Sequence, residues 1–220
     1  MSAIFRLDRP ARALYNAKGQ RWDPVARSWR DSAESTDTDQ GERPSSEPVD
    51  ALAAVTWLQR ASGHPIRVPI GVIGPREASQ DQIAVGESVG AGLAAMGLVI
   101  VCGGREGVME AVCRGAARHG GIAIGVLPDI DPQPANSHVT ISLATGLGEA
   151  RNAVIARAAL ALIAIGDSYG TLSEVALGLH FGKRVIGLAG AARIAGVRHS
   201  VSATEALTAI ALHVLAAESV

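Results

Sequence analysis

The stretch GEARNAVIARAALALIAIGDSYGTLSEVALGLHFGKRVIGLAG, residues 148–190, decides the fold. It reads as helix, buried strand, glycine loop, helix, strand. Residues 160–165, LALIAI, carry no polar side chain, the pattern of a central parallel strand covered on both faces. The chain then turns at Gly166, Asp167, Ser168, Tyr169 and Gly170. Thr171 opens the next helix, with Glu174 three residues on, the spacing of a capping box. A strand that delivers a glycine loop to a helix N-terminus builds an anion site. The backbone comes close, free N–H groups point outward, and the helix dipole favours negative charge.

Working outward, the same alternation repeats. An apolar strand is expected over 67–74, with an exit loop at 74–77. Ser79 and Gln82 have capping-box spacing for a helix running to about Met96. A second strand at 98–102 ends in GGREGVME, 103–110, and a helix to about His119. Strands follow at 121–128 and 138–144, a last strand at 184–188, and a closing helix at 204–217. This predicts an α/β fold: a doubly wound, Rossmann-like parallel sheet with helices on both faces. Ligands of such sheets bind outside the carboxyl ends of the strands. The loops 74–77, 103–107 and 166–170 should therefore gather at one crevice, where two glycine loops could hold one phosphate or the two ends of a nucleotide.

The N-terminal part reads differently. Residues 1–30 suggest short strands around turns at 16–19 and 23–24, a small β-hairpin appendage in which Trp22 and Trp29 pack rather than bind. Residues 31–49 are acidic, rich in Ser, Thr and Pro, and poor in large apolar groups, the composition of a flexible linker. The Rossmann-like domain is expected over 50–220, opening with an amphipathic helix at 50–62.

Composition narrows the function. The chain is 48% hydrophobic but 3% aromatic, with 25 glycines, which suits a tightly packed α/β domain. A net charge of −1 gives no global field for nucleic acid or an anionic membrane. No apolar run reaches membrane-spanning length, and the N-terminus lacks an apolar signal core. Cys102 and Cys113 read as buried free thiols, so a cytoplasmic protein is expected. The histidines show no paired ligand spacing, and Asp129, Asp131 and Asn136 sit in a loop stiffened by Pro132 and Pro134, so no metal site is expected.

No GxGxxG follows the first strand, which disfavours a nicotinamide enzyme. The pattern instead resembles the LOG-like Rossmann superfamily, over about residues 66–188. GGREGVMEA at 103–111, Arg151 in GEARN, and GDSYGTLSE at 166–174 carry the likeness. That superfamily includes cytokinin-activating phosphoribohydrolases, proteins long mislabelled lysine decarboxylases, and molybdenum cofactor carrier proteins. The hydrolase signature is PGGxGTxxE with an arginine about fifteen residues earlier; Arg151 and Glu174 match that pair. Gly166, Asp167 and Ser168 replace Pro-Gly-Gly, Ser173 replaces an acidic residue, and the upstream loop is a residue shorter. These departures lean toward the carrier-like branch.

The resemblance implies Arg151 and Glu174 as the catalytic pair of an N-glycosidic hydrolysis of nucleoside 5′-monophosphates. Glu174 would position water or contact the ribose, and Arg151 would balance the phosphate or the departing base. Gly74, Gly103, Gly104, Arg105, Gly107, Met109, Gly166, Ser168, Tyr169, Gly170 and Thr171 would surround the phosphate. Glu149, Arg76 and Glu106 are weaker candidates, and Met109 can equally be core. The alternative is a carrier or sensor holding a phosphorylated pterin or nucleotide in the same crevice. No further cofactor is required by either reading. Lysine decarboxylation is set aside, because Lys18 lies in the appendage and Lys183 at the wrong end of the sheet for a Schiff base. The expected partner is a small phosphorylated molecule, with no nucleic acid and no membrane. The apolar helices at 150–162 and 175–181 predict a homodimer or homotetramer.

Overall fold

In the computed structural model, residues 5–31 and 46–216 are described. The chain forms two compact units, one of residues up to Ile66 together with those from Thr208 onward, the other running from Arg67 to Leu207.

The smaller unit holds β1 (Phe5–Asp8), β2 (Ala13–Asn16), β3 (Arg21–Asp23), β4 (Ser28–Arg30), β5 (Ser46–Val49) and helix α1 (Ala51–Arg60). The expected hairpin is in fact a five-stranded antiparallel sheet in the order β4-β3-β2-β1-β5. The turn chemistry is legible: Asn16 Oδ1 accepts from the Lys18 and Gln20 amides, and Asp23 Oδ1 from those of Val25 and Ala26. The expected linker is corrected at its end, because 46–49 pairs with β1, Phe5 opposite Val49. The rest of that linker, 32–45, lies outside the described residues. Phe5 stacks on Trp29, whose ring meets Trp22 edge-on, and Trp29 Nε1 donates to Leu215 O at 2.7 Å. The tryptophans thus build this unit's core. Asp50 caps α1 by accepting from the Ala53 amide.

The larger unit is a parallel seven-stranded sheet. Its strands are β6 (Ile70–Ile73), β7 (Ile100–Cys102), β8 (Ala123–Leu127), β9 (Ile141–Ala144), β10 (Ala161–Ile165), β11 (Arg184–Leu188) and β12 (Val197–His199). They lie in the order β12-β11-β10-β6-β7-β8-β9, every pairing parallel. The central strand expected at 160–165 is β10, buried along its whole length. β12 follows β11, so 184–188 is not the last strand. The helices are α2 (Gln80–Ala95), α3 (Val108–Arg118), α4 (Arg151–Ala158), α5 (Tyr169–His180) and α6 (Ala203–Val214), which ends in the smaller unit. α2 has the expected capping box between Ser79 and Gln82. α4 and α5 pack Ile155, Ala156, Ala159 and Val175 onto Ile73, Val101, Leu162, Ala164 and Val185.

The order of strands reverses between β6 and β10. The chain winds from β6 through β7 and β8 to one edge, then returns to β10 and winds to the other. Loops leaving neighbouring strands on either side of such a reversal turn away from each other and open a crevice at the strand ends. The loops after β6, β7 and β10 leave the sheet at that end.

Candidate functional site: a buried arginine and glutamate at the strand ends

Arg151 is the first residue of α4, after a single 3-10 turn at Gly148–Ala150. The helix expected from Gly148 therefore starts one turn later. Glu174 lies in the second turn of α5. Here the capping assignment is corrected: Ser168 is the N-cap, its Oγ accepting from the Thr171 amide at 3.1 Å. Glu174 is free of any capping duty and faces inward. Arg151 Nη1 and Glu174 Oε1 stand 3.7 Å apart, with side chains only 9% and 8% exposed. The distance is that of an ion-pair contact, beyond hydrogen-bond reach.

Burial governs this pair. It pushes the Glu174 carboxyl up from an ordinary 4.5 to about 8, while the Arg151 guanidinium pulls it down and Glu149 raises it further. Desolvation outweighs the arginine, so near pH 7 Glu174 is mostly a neutral acid. The Arg151 charge is then not cancelled. Its Nε is buried with no hydrogen-bond partner among the described residues. A buried guanidinium with an unmet N–H is poised for an external anion.

The glycines divide into two kinds. A Cβ at Gly103 would collide with the Arg151 guanidinium and stand 2.6 Å from Met109 Sδ, so this glycine and Met109 line the arginine directly. A Cβ at Gly74 would stand 2.6 Å from Val108 Cγ1 and 2.7 Å from Ile165 O. At Gly107 it would overlap the backbone of Arg76, and at Gly104 it would come within 2.9 Å of Gly125 Cα. These three lack side chains because the protein packs against itself there. Gly104 and Gly107 also need positive φ, 71° and 70°. Gly166, φ 69°, abuts the Gln82 amide group, which donates to Ala189 O.

The remaining candidates are spread around the mouth. Ser168, Tyr169 and Gly170 are exposed, Tyr169 at 94%, and Thr171 is buried below them with its amide on Ser168. Asp167 is exposed. Arg105 is held by Asp129, and Arg76 pairs with Glu106 at 3.2 Å, so these arginines already have protein partners. Two asparagines do more than their sequence positions predict. Asn136, taken as part of a rigid loop, donates from Nδ2 to Gly104 O and Arg105 O, at 3.1 and 3.0 Å. It ties the glycine loop down. Asn152 donates to Ser173 Oγ at 2.8 Å, joining α4 to α5, and keeps a buried Oδ1 without a partner among the described residues. Their only sequence signal is position, beside the GEAR arginine and after the Pro-rich loop. Asn136→Ala should cost about 1–2 kcal/mol of stability, read as a lower urea midpoint, because Arg105 O loses this donor while Gly104 O keeps the Asn136 backbone amide.

Beneath the loop, Cys102 and Cys113 are buried with their sulfurs 3.6 Å apart, and Cys102 Sγ accepts from the Gly104 amide at 3.4 Å. The contact with Cys113 and burial hold the Cys102 thiol well above its ordinary range, so it stays protonated. Among the described residues no three His, Cys, Asp or Glu side chains cluster as metal ligands, and no helix is long and apolar enough to cross a membrane.

Comparison with known proteins rests on the larger unit. Residues 67–218 match the SLOG cluster4 family. The chain belongs to that family. Among solved structures, this SLOG chain superposes on the molybdenum cofactor binding protein of Rippkaea orientalis with a TM-score of 0.63. The two are 34% identical, over 66% of this chain and 96% of that one. The molybdenum cofactor carrier protein of Chlamydomonas reinhardtii gives 0.62 and 32%, over 69% and 100%. An uncharacterized protein of Archaeoglobus fulgidus is 40% identical over 129 residues, 59% of this chain and 85% of its own length.

One expectation is overturned. The SLOG fold is shared with DNA processing protein A of Streptococcus pneumoniae, 22% identical with TM-score 0.52, over 63% of this chain and 60% of that one. It is shared also with the Helicobacter pylori protein, described for its single-stranded DNA binding mode, 18% identical with TM-score 0.51 over 65% and 80%. Near-neutral charge on this fold therefore does not exclude a nucleic-acid partner. At these identities the likeness is one of fold alone.

Proposed function

We propose that the chain is a binding protein that carries a phosphorylated pterin of the molybdenum cofactor type in the crevice at Arg151. The observation that carries this reading is the unmet, buried Arg151 Nε beside a carboxyl that burial keeps neutral. An anionic oxygen fits that donor, and Gly103, lacking a Cβ, is what leaves the guanidinium its place. Support also comes from the kinship with molybdenum cofactor carrier proteins at 32% and 34% identity over nearly their whole length. With no protein trio of metal ligands among the described residues, recognition would fall on the phosphate and the pterin. Arg151 would take the phosphate, the N-terminal amides of α5 would add partial positive charge, and Tyr169 would lie over the ring. The buried thiols fit a reducing cytoplasm.

Hydrolysis of a nucleoside 5′-monophosphate is the second reading, favoured by the Arg151–Glu174 pair. It asks for an ionised carboxylate at the sugar carbon or the water, and a Glu174 held near 8 is mostly protonated at neutral pH. The test incubates the protein anaerobically with molybdenum cofactor released from a donor enzyme, desalts it, and assays retained pterin by the fluorescence of its oxidised form. A parallel sample receives AMP and is assayed for adenine. Stoichiometric pterin without adenine is expected. Free adenine would move the assignment to the hydrolase, and failure to retain pterin would remove the carrier.

A further inference from the structure

Gln82 makes a hydrogen bond that its capping role does not need. In the capping box of α2 its Oε1 accepts from the Ser79 amide at 3.0 Å, and its own backbone amide donates to Ser79 Oγ at 3.2 Å. A capping box asks only for an acceptor on this side chain. A glutamate serves it as well, with a charge that a helix N-terminus favours. The carboxamide nitrogen is surplus to that duty. It donates instead to Ala189 O at 3.2 Å, 107 residues away in the chain.

That bond crosses the strand-order reversal. Gln82 follows β6 on one side of it, and Ala189 follows β11 on the other. β10 lies between those strands, and Gly166 is the first residue after it. A Cβ at Gly166 would collide with the Gln82 amide nitrogen and stand 2.7 Å from its Cδ, so the carboxamide rests directly on this turn. Gly166 N in turn donates to Leu188 O at 3.0 Å. Ala189 has φ 48°, a left-handed conformation that costs an alanine free energy. One half-buried side chain thus joins the segments leaving three neighbouring strands. Two residues beyond Gly166, Ser168 caps α5, so a shift of the turn carries the first amides of that helix with it.

We infer that Gln82 is a positioning residue of the crevice. Its carboxamide locks the Gly166 turn against the Ala189 turn and so aims the N-terminal amides of α5 at the anionic group of the ligand. The lock stands on the hydrogen bonds above; its effect on a ligand rests on the anion-binding reading of Arg151 and α5.

Two variants separate positioning from capping. Gln82→Glu keeps the acceptor for Ser79 but sets a second oxygen against Ala189 O. Ser79→Ala weakens the cap and leaves Gln82 on Ala189. Amide hydrogen exchange of the ligand-free full chain is read at Gly166, Thr171, Leu172 and Ala191, all hydrogen-bonded in or beside the two turns. Ile83, whose amide donates to Ser79 O, reports on the cap. Gln82→Glu should speed exchange at the four turn amides about threefold to tenfold, the worth of one hydrogen bond, and leave Ile83 unchanged. Ser79→Ala should speed Ile83 and leave the turn amides unchanged. Gln82→Met, which adds no charge, should weaken retention of the pterin by a similar factor, and Ser79→Ala should not. The inference is overturned if the turn amides of Gln82→Glu exchange as in the unmodified chain, if Ser79→Ala speeds them equally, or if Gln82→Met holds the pterin as tightly as the unmodified chain. An unmodified chain that retains no pterin removes the carrier reading, and the exchange comparison then decides the role of Gln82 by itself.

Discussion

Arg151→Met should cost the protein most of its affinity for a phosphorylated pterin, about 2–5 kcal/mol, or roughly 30-fold or more in Kd. The side chain is 9% exposed, so its charge acts through little water. Methionine keeps the unbranched bulk against Gly103 and Met109 while deleting the donors. The fold should survive this change. Removing one member of a buried ion pair is ruinous when it strands a charge, but Glu174 holds its proton near neutrality and becomes a buried neutral acid. Equilibrium dialysis against the cofactor, with urea midpoints at pH 6, separates the two effects. Loss of affinity with an unchanged midpoint is expected. Unchanged affinity would remove Arg151 from the site.

The second large effect is on pH. Glu174 binds its proton more tightly folded than unfolded, with a folded value of about 8 against an ordinary 4.5. Its stabilising contribution is therefore complete below about 4.5 and is lost as pH rises through about 8. At about 1.4 kcal/mol per unit, the loss over that window is on the order of 5 kcal/mol at most. Glu174→Gln cannot ionise, so its urea midpoint should exceed that of the unmodified chain at pH 9 and approach it at pH 4. Ligand affinity should follow the same sense. Above pH 8 an ionised Glu174 would cancel Arg151 and repel an anion, so affinity should fall there, and the glutamine variant should flatten the fall. A midpoint indifferent to pH between 5 and 9 in the unmodified chain would show that Glu174 is already charged.

Much of this was readable from the residues. The strand at 160–165 was legible because nothing but apolar side chains suits a strand covered on both faces. The α2 cap was legible because Ser79 and Gln82 are each other's local partners. The Arg151–Glu174 meeting was visible only through resemblance, since the residues lie on different helices and nothing local links them. The role of Ser168 as N-cap was hidden by Thr171, which offers the same chemistry a turn later. β5 was hidden by its composition: SEPV has little strand propensity, and it pairs because Phe5 and Leu7 present an open edge. Charge misled on nucleic acid, because a formal sum over the chain averages away what a fold can present locally.

The two sulfurs under the Gly103–Gly104 turn make the floor of the pocket soft. Thiols are polarisable and deformable where a carbonyl or a hydroxyl would be rigid. Oxidants attack exposed thiolates, and these two sulfurs are buried, Cys102 as the protonated thiol. Their protection is the closure of the fold itself, so the ligand cradle keeps its shape only as long as the layer above it stays shut.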